Sequence, residues 1–235
     1  MSVTVQSVVD RVQITLQDTT GVRWPITSEL VLWVNDAQRE IALFKPDASA
    51  KNDTIALVAG TKQSIPSAGN RLLGVVRNMS DTVANNGVGK RSIRIVEREV
   101  LDAQTPDWHD PNVTGDAAHS SEVKHFVYDD ADPRNFYVYP GVSGNAFIEI
   151  IYSANPSTVD INGNLDIPDI FANAVYNYVL YNCYMKDAEY TGNSQRAGNH
   201  YQLFMASVTG KSQLDMITNP NATAPANANN AVVAA

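Results

Sequence analysis

Three short stretches carry residue types that could do chemistry. Asn86-Gly87-Val88-Gly89-Lys90-Arg91-Ser92 has the make-up of a phosphate loop, in which glycines free the backbone N–H groups, a lysine reaches the phosphates and a hydroxyl holds Mg²⁺. It fails at two positions, because Ala84 stands in place of the first glycine and Arg91 in place of the Ser or Thr. No helical pattern follows it, so a Gly-rich hairpin turn is the expectation. Asp160-Ile161-Asn162-Gly163-Asn164-Leu165-Asp166 begins like a calcium loop, yet Leu165 and Phe171 occupy the sixth and twelfth positions, where an EF-hand needs Gly and a bidentate Glu. An Asx-rich turn leading into a capped helix explains these residues more simply. His109, His119 and His125 fall within seventeen residues, near Asp107, Asp110 and Asp116. They could form a metal site, but no two have the short helical spacing of a hydrolase motif, and loop histidines beside solvated acids are the plainer reading.

The other reactive types are scattered. The many carboxylates offer no pair distinguishable as acid and base, and no serine has a nucleophile-elbow context. Cys183 sits among Tyr176, Tyr178, Tyr181 and Tyr184 and reads as a buried thiol. The tyrosines divide between core and an intersubunit surface, where Tyr is enriched. Nothing reads as an active site. The chain is therefore expected not to be an enzyme, and no cofactor or metal is expected.

Composition narrows the class. With 44% apolar and 18% charged residues over 235 positions, the chain is globular and can bury a real core. No apolar run approaches a membrane span. The opening MSVTVQSVVDRVQITL lacks a basic region followed by an apolar stretch, so no signal peptide is expected. One cysteine excludes an intrachain disulfide and a cysteine-based zinc site, which suits a soluble protein of a reducing compartment. The net charge of −8 disfavours non-specific DNA or anionic-membrane binding by the whole surface. That average hides two segments. Lys62 to Arg98 has seven bases against two acids, whereas Glu97 to Asp132 has ten acids against two bases. Opposite signs so arranged suit contacts between copies, or are two solvated faces that never meet.

The elements that must position these residues fall into three parts. Val8, Val9, Val12 and Leu16 recur at helical spacing after a possible cap, Ser7, in a segment that Gly21 ends. A second helix has Thr27 or Ser28 as cap. Leu30, Val34, Ala37, Ile41 and Phe44 form its apolar stripe, Asn35, Asp36, Arg39 and Glu40 its polar side, and Pro46 its stop. Six strands are expected in TIALVAG, RLLGVVRNM, RSIRIVEREV, VKHFVYDD, NFYVYPG and AFIEIIYSA, the last three as an antiparallel meander. Alternation puts Phe136 and Val138 on one face and Tyr137 and Tyr139 on the other. Asp102 to Ser121 reads as a long polar loop, and loops of that length are usually functional or partner-ordered. A third helix starts at Asp166-Ile167-Pro168-Asp169 and carries a stripe of Ile170, Ala174, Tyr178, Tyr181, Met185 and Ala188. Beyond Gly192 a fourth presents Ala197, Tyr201, Phe204 and Val208 and ends between Gly210 and Ile217. The uncharged NPNATAPANANNAVVAA is expected to be disordered alone and ordered by a partner or a neighbouring copy. The expected fold is α+β: an antiparallel helical bundle of two N-terminal and two C-terminal helices, a β-rich insertion and an extended C-terminal tail. The divisions are 1–50 (first half of the bundle), 51–155 (insertion), 156–217 (second half) and 218–235 (tail).

Several stretches, in order, carry a family resemblance. They are Arg23-Trp24-Pro25, Glu29-Leu30, Trp33 to Ile41, Leu101 to His109, Phe136 to Pro140, Tyr178 to Tyr190, Gln195-Arg196-Ala197 and His200-Tyr201. The sequence over about 5–210 resembles the head-to-tail adaptor (connector, gateway or tail tubular A-type) proteins of tailed bacteriophages, podovirus-like in kind. The resemblance implies a structural virion protein that forms a ring, typically a dodecamer, between portal and tail nozzle and encloses the DNA exit channel. An acidic surface would let DNA slide there without specific binding. It implies partners in other copies of the chain, the portal protein, the tail nozzle protein and, as a further candidate, tail fibres, with no membrane. It also implies assembly in the host cytoplasm and residence at the head–tail junction. On this reading Lys211, Leu214, Ile217, Asn219, Pro220, Pro225, Val232 and Val233 are expected to contact the portal. Arg91, Arg94, Asp129 and Asp130 are expected between subunits. The rivals are a tail-associated envelope or polysaccharide hydrolase using Asp107, Asp110 and Asp116, and a peripheral module that docks tail fibres.

Overall fold

The computed structural model describes residues 2–85 and 87–218, and of 84, 212 and 214–218 the backbone alone. The chain is α+β and divides into two compact units, 1–38 with 159–235 and 39–158.

In the first unit α1 (Val5–Leu16) buries Val5, Val8, Val9 and Val12. Its cap is Thr4, three residues before the expected Ser7: the Thr4 hydroxyl accepts the Ser7 N–H at 3.2 Å. The helix ends at Gln17 in the left-handed region, ahead of the expected Gly21. Asp18 then shapes the return of the chain, its carboxylate accepting the N–H groups of Val22, Arg23 and Trp24 at 3.2, 2.9 and 3.0 Å. The Trp24 bond is the leading cause that holds the Asp18 carboxyl below its ordinary range. Thr27 and Ser28 do not cap the next helix, because a π-helical turn, Ile26–Leu30, runs directly into α2 (Val31–Phe44). Leu30, Val34 and Ala37 are buried there as expected, but so are Asn35 and Gln38. Asn35 belongs to the interior because Val159 satisfies it: Nδ2 donates to the Val159 carbonyl at 3.0 Å and Oδ1 accepts the Val159 N–H at 2.8 Å. Gln38 Oε1 likewise accepts the Asp166 N–H at 2.7 Å.

α4 (Ala172–Lys186) packs against both α1 and α5 (Asn193–Thr218). A helix with two neighbours is apolar over a broad arc, so its buried set is Ala172, Ala174, Val175, Val179, Leu180 and Cys183. The expected stripe is therefore displaced: Ile170 and Met185 are exposed, and Tyr178 and Tyr181 are half-buried against Phe204 and Tyr201 of α5. α5 buries Ala197, Phe204 and Val208 of the expected face, but Tyr201 is exposed.

The described residues of the second unit form eight strands in two sheets. One has the order β1 (Ala50–Ala56), β8 (Phe147–Ala154), β3 (Gly69–Met79), β4 (Gly89–Ser92). The other has β2 (Gly60–Ser64), β7 (Asn135–Val142), β6 (His125–Tyr128), β5 (Arg94–Ile95). Leu72, Val75, Ile148 and Ile150 of the first sheet share a core with Phe126, Phe136 and Val138 of the second. β6 and β7 pair antiparallel as expected, but β8 crosses to the other sheet and pairs with β1 and β3, which breaks the meander. RSIRIVEREV is not one strand: β4 and β5 pair in different sheets, and α3 (Arg98–Gln104) follows. A second small cluster, Leu101, Trp108 and Val127 against Tyr137 and Tyr139, lies on the opposite face of β7 from Phe136 and Val138.

Candidate functional site

The three stretches singled out for chemistry are all put to structural use. Residues 80–85 and 87–89 belong to the β3–β4 hairpin end, where the Gly87 N–H donates to the Thr82 carbonyl at 2.9 Å and strand, not helix, follows. The Asx-rich turn at 160–165 spends its carbonyls on α1: Val5 and Gln6 donate to Gly163 and Ile161 at 2.9 and 3.0 Å. These are two of the N-terminal donors that a helix cannot satisfy itself.

The three histidines are engaged separately. His109 Nδ1 bonds the Thr61 hydroxyl at 2.8 Å and its ring lies 3.7 Å from that of Trp108. His119 backs onto Gly141, where any Cβ would collide with the imidazole ring. His125 stacks on Tyr139 at 6.2 Å. Burial first, then nearby arginines, lowers the pKa of His109 and His125. Among the described residues no three His, Cys, Asp or Glu side chains gather as metal ligands. Cys183 is fully buried, and desolvation drives its pKa far up, as an inert thiol requires.

The loop after α3 is anchored by Trp108, which is wholly buried. Its indole N–H donates to Asp102 Oδ1 at 2.9 Å, and its ring meets Tyr137 and Tyr139 edge-on at 6.3 Å. That anchoring was hidden in a stretch dominated by polar residues, and α3 itself extends through Asp102 to Gln104.

The basic and acidic segments meet within one copy. Arg71 pairs with Asp130 at 2.6 Å, Arg91 with Glu122 at 3.5 Å and Arg98 with Asp102 at 3.3 Å. All six side chains are nearly half exposed or more, so each pair is worth little alone. Of the four residues expected between subunits, Arg91 and Asp130 already hold partners. Arg94 and Asp129 form no ion pair among the described residues; Asp129 Oδ1 accepts the Ala131 N–H at 2.9 Å. Lys211 is half-buried on the last described turns of α5, where its side chain is engaged. Leu214 and Ile217 lie on α5 with side chains outside the described residues. Asn219, Pro220, Pro225, Val232 and Val233 lie outside them altogether.

One grouping escaped the sequence reading. Arg23 pairs with Asp187 at 2.6 Å, and Arg196 stands over Tyr184. Both arginines occur in quoted motif stretches, but nothing in their types signalled that they share a cavity.

A family model described as SU10 adaptor protein matches residues 3–226. The chain belongs to the SU10 adaptor protein family. This makes the adaptor a structural component of a bacteriophage virion. A comparison with curated proteins finds no match. Among the adaptor's described residues, no helix is long and apolar enough to cross a membrane.

Proposed function

We propose that the chain is a head-to-tail adaptor, podovirus-like in kind, whose copies form a ring between portal and tail nozzle. The ring is taken as a dodecamer that encloses the DNA exit channel, is assembled in the host cytoplasm and plays a structural, non-enzymatic part. The observation that carries this reading is the family match along residues 3–226. The net charge of −8 fits a wall past which DNA slides without being held.

Within this reading the helical segments 1–50 and 156–217 build the ring body and 51–155 is an insertion. Residues 218–235, with Lys211, Leu214 and Ile217, engage the portal. Arg94 and Asp129, without ion-pair partners among the described residues, bridge neighbouring copies, with Arg91 and Asp130 beside them. Tail fibres are a further candidate partner for the insertion.

The test is native mass measurement and negative-stain imaging of the chain mixed with its portal. A ring stacked coaxially on the portal is expected, and truncation after Lys211 should abolish that stacking while leaving helix content intact. A chain that stays monomeric with the portal present overturns the reading.

A further inference from the structure

A cavity of about 490 Å³ opens within the helical unit, between the end of α1, the Arg23–Trp24 turn, the end of α4 and the start of α5. Its walls carry Arg23, Trp24, Tyr184, Asp187, Tyr190 and Arg196.

Both arginines are exposed at the cavity mouth, and each guanidinium group lies over an aromatic face. Arg23 lies 4.8 Å from the Trp24 ring and 5.3 Å from the Tyr190 ring, and donates to Asp187 Oδ2 at 2.6 Å. Arg196 lies 5.9 Å from the Tyr184 ring, which stacks on His200 at 5.5 Å and 11°. His200 Nδ1 is in turn 3.0 Å from Asn177 Oδ1, which fixes the stack. Arg196 has no carboxylate partner among the described residues. It also sits in the first turn of a 26-residue helix that has no acid there. The N–H groups of Asn193 and Arg196 find the carbonyls of Tyr190 and Gly192, whereas those of Ser194 and Gln195 have no acceptor among the described residues. Free N–H groups and a positive helix end favour an anion. Two guanidinium groups against one carboxylate leave the wall with a single uncompensated positive charge, in a chain whose net charge is −8.

We propose that this cavity binds a carboxylate presented by an acidic segment of a partner polypeptide, with Arg196 as its anchor. The excess charge suits a monoanion and leaves a phosphate dianion half-compensated. The planar fork of arginine fits a carboxylate in bidentate fashion, and in the same wall Arg23 already holds the Asp187 carboxylate through one N–H···O contact at 2.6 Å. The site belongs to the single chain, so it is tested without a ring and stands or falls apart from the adaptor reading.

The test is ¹H–¹⁵N NMR of the full chain, following the Arg196 Nε–Hε and Trp24 indole signals at constant ionic strength. The probes are acetyl-Asp-Asp-Ala-Asp-amide, its Asn counterpart, sodium acetate and sodium phosphate. A saturable shift with the acidic peptide and none with the Asn peptide is expected. Arg196→Gln should weaken binding at least tenfold, and Arg71→Gln, in the other unit, should leave it unchanged. Asp187→Asn removes the competing carboxylate and should tighten binding severalfold, an effect opposite in sign to that of a merely structural loss. The proposal is overturned by any of three results: no saturable shift with the acidic peptide, equal binding by Arg196→Gln, or tighter binding of phosphate. Acetate binding as tightly as the peptide would assign the cavity to a free small carboxylate and overturn the polypeptide source.

Discussion

Replacing Trp108 by alanine tests whether the polar loop after α3 is part of the fold. The side chain is wholly buried and packs against Leu101, Val127, Tyr137 and Tyr139. Truncating a buried tryptophan to alanine costs about 3–5 kcal/mol, through lost transfer energy and the cavity left behind. At ~4 °C per kcal/mol, this lowers the melting temperature of the strand-rich unit by ~12–20 °C. Trp108→Phe keeps one aromatic ring in the site and loses the indole donor and part of the ring volume, so its loss should be smaller than that of alanine. The phenylalanine variant also has a pH signature. The Trp108 bond, with Arg98 behind it, holds the Asp102 carboxyl below its usual range. A lowered folded pKa stabilises fully above the unfolded value of about 3.9 and is lost as pH falls through the folded value. The gap between wild type and Trp108→Phe should therefore narrow on going from pH 7 to pH 3. Urea titrations followed by near-UV circular dichroism at both pH values measure each quantity. An alanine loss under ~1 kcal/mol would refute the anchoring argument, since no buried tryptophan leaves so little behind. A gap that widens towards acid would refute the role given to Asp102.

Other expectations are simpler. Asn78 is buried and bonds the Arg91 and Val123 carbonyls and the Val123 N–H at 3.0, 2.7 and 2.8 Å. Asn78→Ala orphans these groups and should cost about 2–3 kcal/mol by urea unfolding; a neutral result would show that water replaces the amide. Cys183 should resist a thiol reagent in the native chain at pH 8 and react fully in denaturant; rapid native labelling would contradict its burial. Reversing Arg91 and Arg94 to Glu should weaken any ring measured by sedimentation, most strongly at low salt, because exposed charges are screened. An oligomer unchanged at every salt concentration would mean that this edge is only solvated.

What the sequence disclosed depended on how many neighbours each element has. The stripes of α2 and α5 were legible except at Phe44 and Tyr201, which are exposed, because each follows a 3.6-residue period, and the alternation in β7 correctly parted Phe136 from Tyr137. α4 was misread because packing on two sides erases a single stripe. Strand-forming runs were visible, but alternation marks only an inward face, so it could not tell that β8 joins the opposite sheet from β7. Asn35 and Gln38 were invisible as interior residues, since their partners, Val159 and Asp166, lie more than a hundred positions away. Arg23, Asp187 and Arg196 are likewise joined only by the fold.

The stitching at Val159 has a further consequence. Asn35 clasps Val159 with two hydrogen bonds, and on the other side of that point Arg39 reaches the Thr158 hydroxyl at 3.2 Å. The two ends of the strand-rich segment are thus clamped where it leaves and re-enters the helical part. Once ends are tied, doubling the length between them adds only ~0.6 kcal/mol of closure entropy. The helical part is therefore nearly indifferent to how much chain is looped out. The insertion can be lengthened, trimmed or exchanged for another cassette, provided that the pair of Asn35–Val159 hydrogen bonds at its neck survives.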